Sequence, residues 1–125
     1  MQINFFGDGK WAANTLHRLL DEGHDINVVI PRVEPTDKTV RQAADDLDLD
    51  VQVPTDANAP EFVDWLAQQN ADLNVSVSYD QIIRPALLNV TEHGFINCHA
   101  GKLPMYRGRS VVNWALINGE QQIGV

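Results

Sequence analysis

Apolar residues along this chain fall into two rhythms that alternate from end to end. The runs "QINFF" (2–6), "INVVI" (26–30) and "ADLNVSVSY" (71–79) are short and predict strands. "INVVI" is nearly continuous and β-branched, as expected of a strand buried on both faces of a parallel sheet. Between the first two runs, "WAANTLHRLLDEG" places Trp11, Thr15/Leu16, Leu19 and Leu20 at helical spacing and stops at Gly23. "TVRQAADDLDL" (39–49), "APEFVDWLAQQN" (59–70) and "SVVNWALINGE" (110–120) predict three more helices, with Pro60 near one start and Gly119 at one stop. "VQV" (51–53) and "GFINCH" (94–99) predict short strands, and "QIGV" (122–125) opens another. "QIIRPALL" (81–88) is a short helical or irregular piece broken at Pro85.

Strands alternating with helical patterns predict an α/β fold: a mostly parallel sheet with helices on both faces. No repeat, low-complexity tract or interdomain linker interrupts residues 1–125, so they read as one domain. A strand begun at Ile123 ordinarily continues. The expectation is therefore an N-terminal portion with its C-terminal part missing.

Composition narrows the function classes. The formal net charge of −8 disfavours general nucleic-acid binding, while Lys102, Arg107 and Arg109 are close enough in sequence to make one local basic site. A single cysteine, Cys98, excludes an internal disulfide and a thiolate metal cluster. No apolar run approaches the roughly 20 residues of a membrane span, and the N-terminus lacks a secretory leader. The cytoplasm is the expected location.

Two stretches carry candidate chemistry. "GDGKWA" supplies Gly7, Gly9 and Ala12 between a strand and a helix. That spelling fits a tight strand-to-helix turn, a dinucleotide fingerprint with Arg32 toward a 2′-phosphate, or another ligand contact. The second stretch is "GFINCHAGKLPMYRGRS" (94–110). Side chains alternate along a strand, so Asn97 and His99 share one face and Cys98 is expected on the other, turned into the core. The pair sits at the carboxyl end of a parallel strand, where open α/β sheets bind ligands. An Asn N–H can meet a developing oxyanion, and a His can donate to the same oxygen or move a proton near neutral pH. Together they suit the tetrahedral intermediate formed when an amine attacks a carbonyl.

The longer pattern, Asn97-x-His99-x-x-x-Leu103-Pro104-x-x-Arg107-Gly108, resembles the signature of the formyltransferases that use 10-formyltetrahydrofolate. The stretches "VSVSYDQIIRPALL" and "NWALINGEQQIGV" look like the same family, and the loop around His99 looks closest to its sugar-modifying members. The resemblance implies 10-formyltetrahydrofolate as cosubstrate, no metal, and an amine acceptor on a nucleotide-linked sugar. Transfer to methionyl-tRNA or glycinamide ribonucleotide, formyltetrahydrofolate hydrolysis, and a non-catalytic folate- or nucleotide-binding fragment are the alternatives. It further implies that Asn97 and His99 are catalytic and that Tyr79, Asp80, Gln81, Ile82 and Ile83 hold the folate. Lys102, Leu103, Pro104, Arg107 and Arg109 would face the acceptor. The family's third catalytic residue, an Asp beyond the strand that "QIGV" opens, has no counterpart here. The isolated chain is therefore expected to be weak or inactive, and a homodimer through its exposed sheet edge is one assembly it could form.

Overall fold

The computed structural model describes all residues, 1–125. Four parallel strands form one sheet: β1 (Gln2–Gly7), β2 (Asp25–Pro31), β3 (Leu73–Val77) and β4 (Phe95–Cys98), in the order β2-β1-β3-β4. The helices are α1 (Gly9–Asp21), α2 (Thr39–Asp46), α3 (Pro60–Ala67), α4 (Pro85–Leu88) and α5 (Val111–Ile117). No helix is long and apolar enough to cross a membrane.

Strand alternation divides the core in two. Ile3, Phe5, Val29, Leu73, Val75 and Val77 face α1 and α2, which bury Ala12, Ala13, Leu16, Val40, Ala43 and Ala44 against them. Phe6, Val28 and Ile30 face the other way and meet Leu66 of α3 and Leu87 of α4. Phe6 anchors this second layer. Its ring lies 5.3 Å from Tyr79, edge-on, and 5.1 Å from Phe95. Full burial of a side chain that size contributes about 1.5–3 kcal/mol. A buried polar ladder runs through the same layer: Asn4 Nδ2 donates to Asn74 Oδ1 at 2.9 Å, and Asn74 Nδ2 donates to Thr91 Oγ1 at 3.1 Å.

Helix ends follow local chemistry. After α1, Gly23 takes φ +81°, and the Gly23 and His24 N–H groups donate back to Leu20 and Leu19 carbonyls. Asp48 plays the same part after α2 at φ +54°, with Leu49 N donating to Ala44 O at 2.9 Å. This left-handed cap closes α2 at Asp46, short of the end that its apolar spacing suggests.

Two expected strands do not form as such. "VQV" contributes one isolated bridge, Val51 to Val29, before Pro54 removes a ladder donor. "QIGV" pairs with no strand. The chain turns at Gly119 (φ +70°) and brings Gly124 against Lys102, so close that a Cβ on Gly124 would sit 2.9 Å from the Lys102 Cβ. β4 is left as an edge strand. On its α1-facing side no helix covers it, and Ile96 is 56% exposed.

The glycine at the end of β1 is required by packing. A Cβ on Gly7 would lie 2.7 Å from the Ala12 Cβ and 2.8 Å from the Phe5 ring. Gly7→Ala is expected to destabilise the fold by about 1–3 kcal/mol through overpacking, read as a fall in the urea midpoint at unchanged slope. Gly7→Ala with wild-type stability would show that α1 is free to move away from β1.

Candidate active site

The order β2-β1-β3-β4 places β1 between strands reached by connections on opposite sides. Loops after β1 and β3 therefore diverge at the carboxyl edge and leave a crevice there, the usual ligand position in such sheets. Asp8, Arg32, Ser78 to Asp80 and His99 all follow directly on strand ends at this edge.

β4 delivers the amide and the imidazole. Phe95 packs onto Phe6, which fixes the strand's facing, and Asn97 sits two residues on, beside Ser76 of β3. Asn97 and His99 line a cavity of about 350 Å³ together with Arg32, Tyr79, Asp80 and Arg109. Cys98 lines it too and is exposed, which overturns the expected core position. Alternation does put Cys98 beside Val77 on the opposite face from Asn97, but that face is open over β4. A larger cavity, about 600 Å³, lies between Lys102, Tyr106, α5 and the segment ending at Gly124. It contains neither Asn97 nor His99, so the smaller cavity is the chemically equipped one.

His99 is oriented by backbone. Its Nε2 lies 2.6 Å from the Tyr106 carbonyl oxygen. A carbonyl only accepts, so Nε2 carries the proton and, in the neutral ring, Nδ1 holds the free lone pair. Tyr106 is itself pinned: its N–H donates to Lys102 O at 3.0 Å, its hydroxyl donates to Glu120 at 2.7 Å, and Asn118 donates to that hydroxyl at 3.2 Å. Asn118's donation favours ionisation of the Tyr106 phenol, but acceptance by Glu120, desolvation and the Glu120 charge together outweigh it and hold the pKa above the ordinary value. Gly101 makes the arrangement possible, since a Cβ there would stand 2.6 Å from Tyr106 O and 2.8 Å from His99 Nε2.

The other residues singled out from sequence separate. Tyr79 and Asp80 reach the cavity. The Gln81 side chain turns away, accepting from Ala57 N at 2.7 Å and donating to Pro54 O at 3.3 Å, so it ties two loops together. Ile82 is 81% exposed, whereas Ile83 packs on the second core layer. Lys102 lines the larger cavity. Leu103, Pro104 and Arg107 are exposed on the loop after β4 and lie outside the 350 Å³ cavity, which Arg109 enters. Sequence reasoning passed over Ser78 and the Tyr106 carbonyl, and gave Gly101 no part in the site. The carbonyl leaves no mark in a side-chain pattern. Arg32 is engaged by Asp8 and Asp80, so its guanidinium is not free for the 2′-phosphate of the dinucleotide reading. No group of three or more His, Cys, Asp or Glu is gathered to hold a metal ion.

The fold and site define an α/β protein with the Asn97 amide and a backbone-oriented imidazole, His99, at the carboxyl edge of a parallel sheet. A family model described as formyl transferase matches residues 1–125, and the chain belongs to that family. It is 36% identical over 133 aligned positions to methionyl-tRNA formyltransferase of Geobacter metallireducens and 33% identical to that of Clostridioides difficile. All of this chain is covered in both matches, against 43% of each relative. The chain thus spans less than half the length of these relatives. Its fold matches glycinamide ribonucleotide transformylase 1 of Symbiobacterium toebii with a TM-score of 0.79 at 22% identity, covering 99% of this chain and 63% of that one. A formyltetrahydrofolate deformylase of Pseudomonas syringae matches with a TM-score of 0.78 at 24% identity, over 98% of this chain and 43% of that one. The narrower likeness to sugar-modifying members finds no support in these relatives, which are named for methionyl-tRNA, glycinamide ribonucleotide and formyltetrahydrofolate.

Tyr79 generates a prediction about alkaline stability. Its hydroxyl is buried without a hydrogen-bond partner. Burial first, then the charges of Asp80 and Asp56, push its pKa well above the ordinary value of 10.0. The raised folded-state pKa means that ionisation favours the unfolded chain. The contribution is complete below about pH 10 and is lost as pH rises beyond it. Tyr79→Phe is expected to raise stability at pH 8 by about 1 kcal/mol, by removing an unsatisfied group. It should also flatten the loss of stability between pH 9 and pH 11 in urea titrations. A less stable Phe variant at pH 8 would show that the hydroxyl has a partner.

Proposed function

We propose that this chain carries the amide and imidazole of a formyl-transfer site, with 10-formyltetrahydrofolate as donor and an amine as acceptor. The observation that supports it best is the pairing of Asn97 with a His99 whose Nε2 is taken by Tyr106 O, both in one cavity. The acceptor nitrogen attacks the formyl carbon, and the former carbonyl oxygen becomes an oxyanion that accepts the Asn97 side-chain N–H. His99 Nδ1 takes the proton that the nitrogen sheds. Collapse then expels N10 of the folate, which receives from His99 the proton that the acceptor shed, so the imidazole returns to neutral and the formyl group stays on the amine. Tyr106 O stabilises the imidazolium formed in between, because its partner Nε2–H remains bonded.

Tyr79, Asp80 and Ile83 are assigned to the folate side, with Ile82 as an exposed flank and Gln81 bracing the loop. For the acceptor, the relatives point to the α-amine of an aminoacyl-tRNA ahead of a nucleotide-linked amino sugar. An RNA-borne acceptor would meet a chain of net charge −8. Contact would then fall to Lys102, Arg107 and Arg109 on the exposed loop after β4, with Leu103 and Pro104 shaping the approach.

The test is formyl transfer by the 125-residue chain at high enzyme concentration, with methionyl-tRNA, glycinamide ribonucleotide, a nucleotide-linked amino sugar, or water as acceptor. The expected product is formylmethionyl-tRNA. Asn97→Ala and His99→Ala should each lower the rate by about 10²- to 10³-fold, the usual cost of one oxyanion donor or proton-transfer group. Folate-analogue affinity should change far less. Unchanged turnover in either variant, or formate as the sole product, would refute the assignment.

A further inference from the structure

Arg32 occupies a position that the chemistry above leaves unexplained. It follows Pro31 at the end of β2, and its side chain is only 17% exposed. One guanidinium reaches three separate loops. Nη1 lies 3.3 Å from Asp8 Oδ2 in the turn after β1 and 3.4 Å from Thr36 Oγ1 in the loop after β2. Nη2 donates to the backbone carbonyl of Ser78 after β3. Nε faces Asp80 Oδ1 at 3.8 Å, too long for a hydrogen bond, and is buried with no other partner.

The partners are themselves held in place. Asp8 is 3% exposed, and both of its oxygens lie 3.1 Å from Thr36 N, with the Thr36 hydroxyl donating to one of them. Ser78 has φ +60°, a left-handed conformation that is uncommon for a residue with a Cβ and is kept where surroundings impose it. Arg32 and Ser78 both line the 350 Å³ cavity of Asn97 and His99 and a neighbouring cavity of about 310 Å³ that includes Asp8, Lys10 and Trp11. The guanidinium is part of the wall between the two.

We propose that Arg32 is a positioning residue that locks the segment from Ser78 to Ile83 to the Asp8 turn and so sets the width of the donor side of the site. The partners are spread around the guanidinium: Asp8 and Thr36 on Nη1, Ser78 O on Nη2 and the Asp80 charge beside Nε. A planar fork spans them, whereas the three donors of a lysine ammonium radiate from one nitrogen. The effect on folate affinity rests on the formyl-transfer reading, whereas the lock itself does not.

Backbone ¹⁵N relaxation and titration with 10-formyl-5,8-dideazafolate, both on the 125-residue chain, separate the two. In Arg32→Lys and Arg32→Met, the order parameters of the Ser78, Tyr79 and Asp80 amides are expected to fall from about 0.85 to below about 0.6, with β1 and β3 amides unchanged. The folate analogue should bind about tenfold more weakly to both, and Lys should fail to rescue. Asp80→Asn, a change on an exposed residue, should give a smaller loss of both in a chain that folds normally. Wild-type order parameters at Ser78 to Asp80 in Arg32→Lys would overturn the proposal, as would a fall spread evenly over the sheet. Analogue binding absent from the wild-type chain, with the order parameters changing as expected, would instead count against the formyl-transfer reading and leave the lock standing.

Discussion

The short contact between His99 Nε2 and the Tyr106 carbonyl is the interaction on which the rest of the site depends. It decides which ring nitrogen has a proton, and so which one is free to accept another. Everything near it serves that contact. Gly101 lacks the Cβ that would fill the gap, Tyr106 N is held by Lys102 O, and the Tyr106 hydroxyl is tied to Asn118 and Glu120 beyond α5. In the proposed reaction His99 moves a proton, and a group with that task needs this kind of support, since a misplacement of about 1 Å can cost a hundredfold in rate. Helix α5 contributes through its far end, with Val111 and Ala115 buried and the Gly119 cap turning the chain back toward Lys102.

The sheet supplies what that contact cannot, which is a place for reactants. β1 is flanked by strands whose connections run to opposite sides, so the crevice opens over its carboxyl end. Phe6, Phe95 and Tyr79 meet in one aromatic cluster directly beneath. That cluster sets the facing of β4, and hence of Asn97, from the same core that carries the folded stability. Arg32 connects the turns on the two sides of the crevice. The Ser78–Asp80 segment, Asn97 and the His99 imidazole are thus held by three different devices: an arginine, a sheet and a backbone carbonyl.

Much of this was legible in the sequence because it rests on local rules. β-branched runs gave the central strands, Gly23 and Gly119 marked helix ends, and Asn97-x-His99 at a strand end marked two residues that share one cavity. What escaped depends on long-range partners. "QIGV" has strand-like residues, but a strand exists only beside another edge, and this segment lies against Lys102. Cys98 follows the alternation rule, yet a face is buried only where something covers it, and nothing covers β4 there. Gln81 looks like a ligand contact beside Tyr79 and Asp80, and only the fold brings Ala57 and Pro54 to its amide. The acceptor was read too narrowly from one loop, because specificity in such folds resides in parts that a shared signature does not encode.

The central claim, that His99 presents Nδ1 as the base because Tyr106 O holds Nε2–H, can be read directly. Long-range ¹H–¹⁵N correlation spectra of the ¹⁵N-labelled chain, recorded where the ring is neutral, distinguish the two tautomers by their nitrogen shifts. A His99 ring protonated at Nε2 in the wild-type chain, and losing that preference in Gly101→Ala, is the predicted result. A His99 ring protonated at Nδ1, or equal populations of the two forms insensitive to Gly101→Ala, would contradict it.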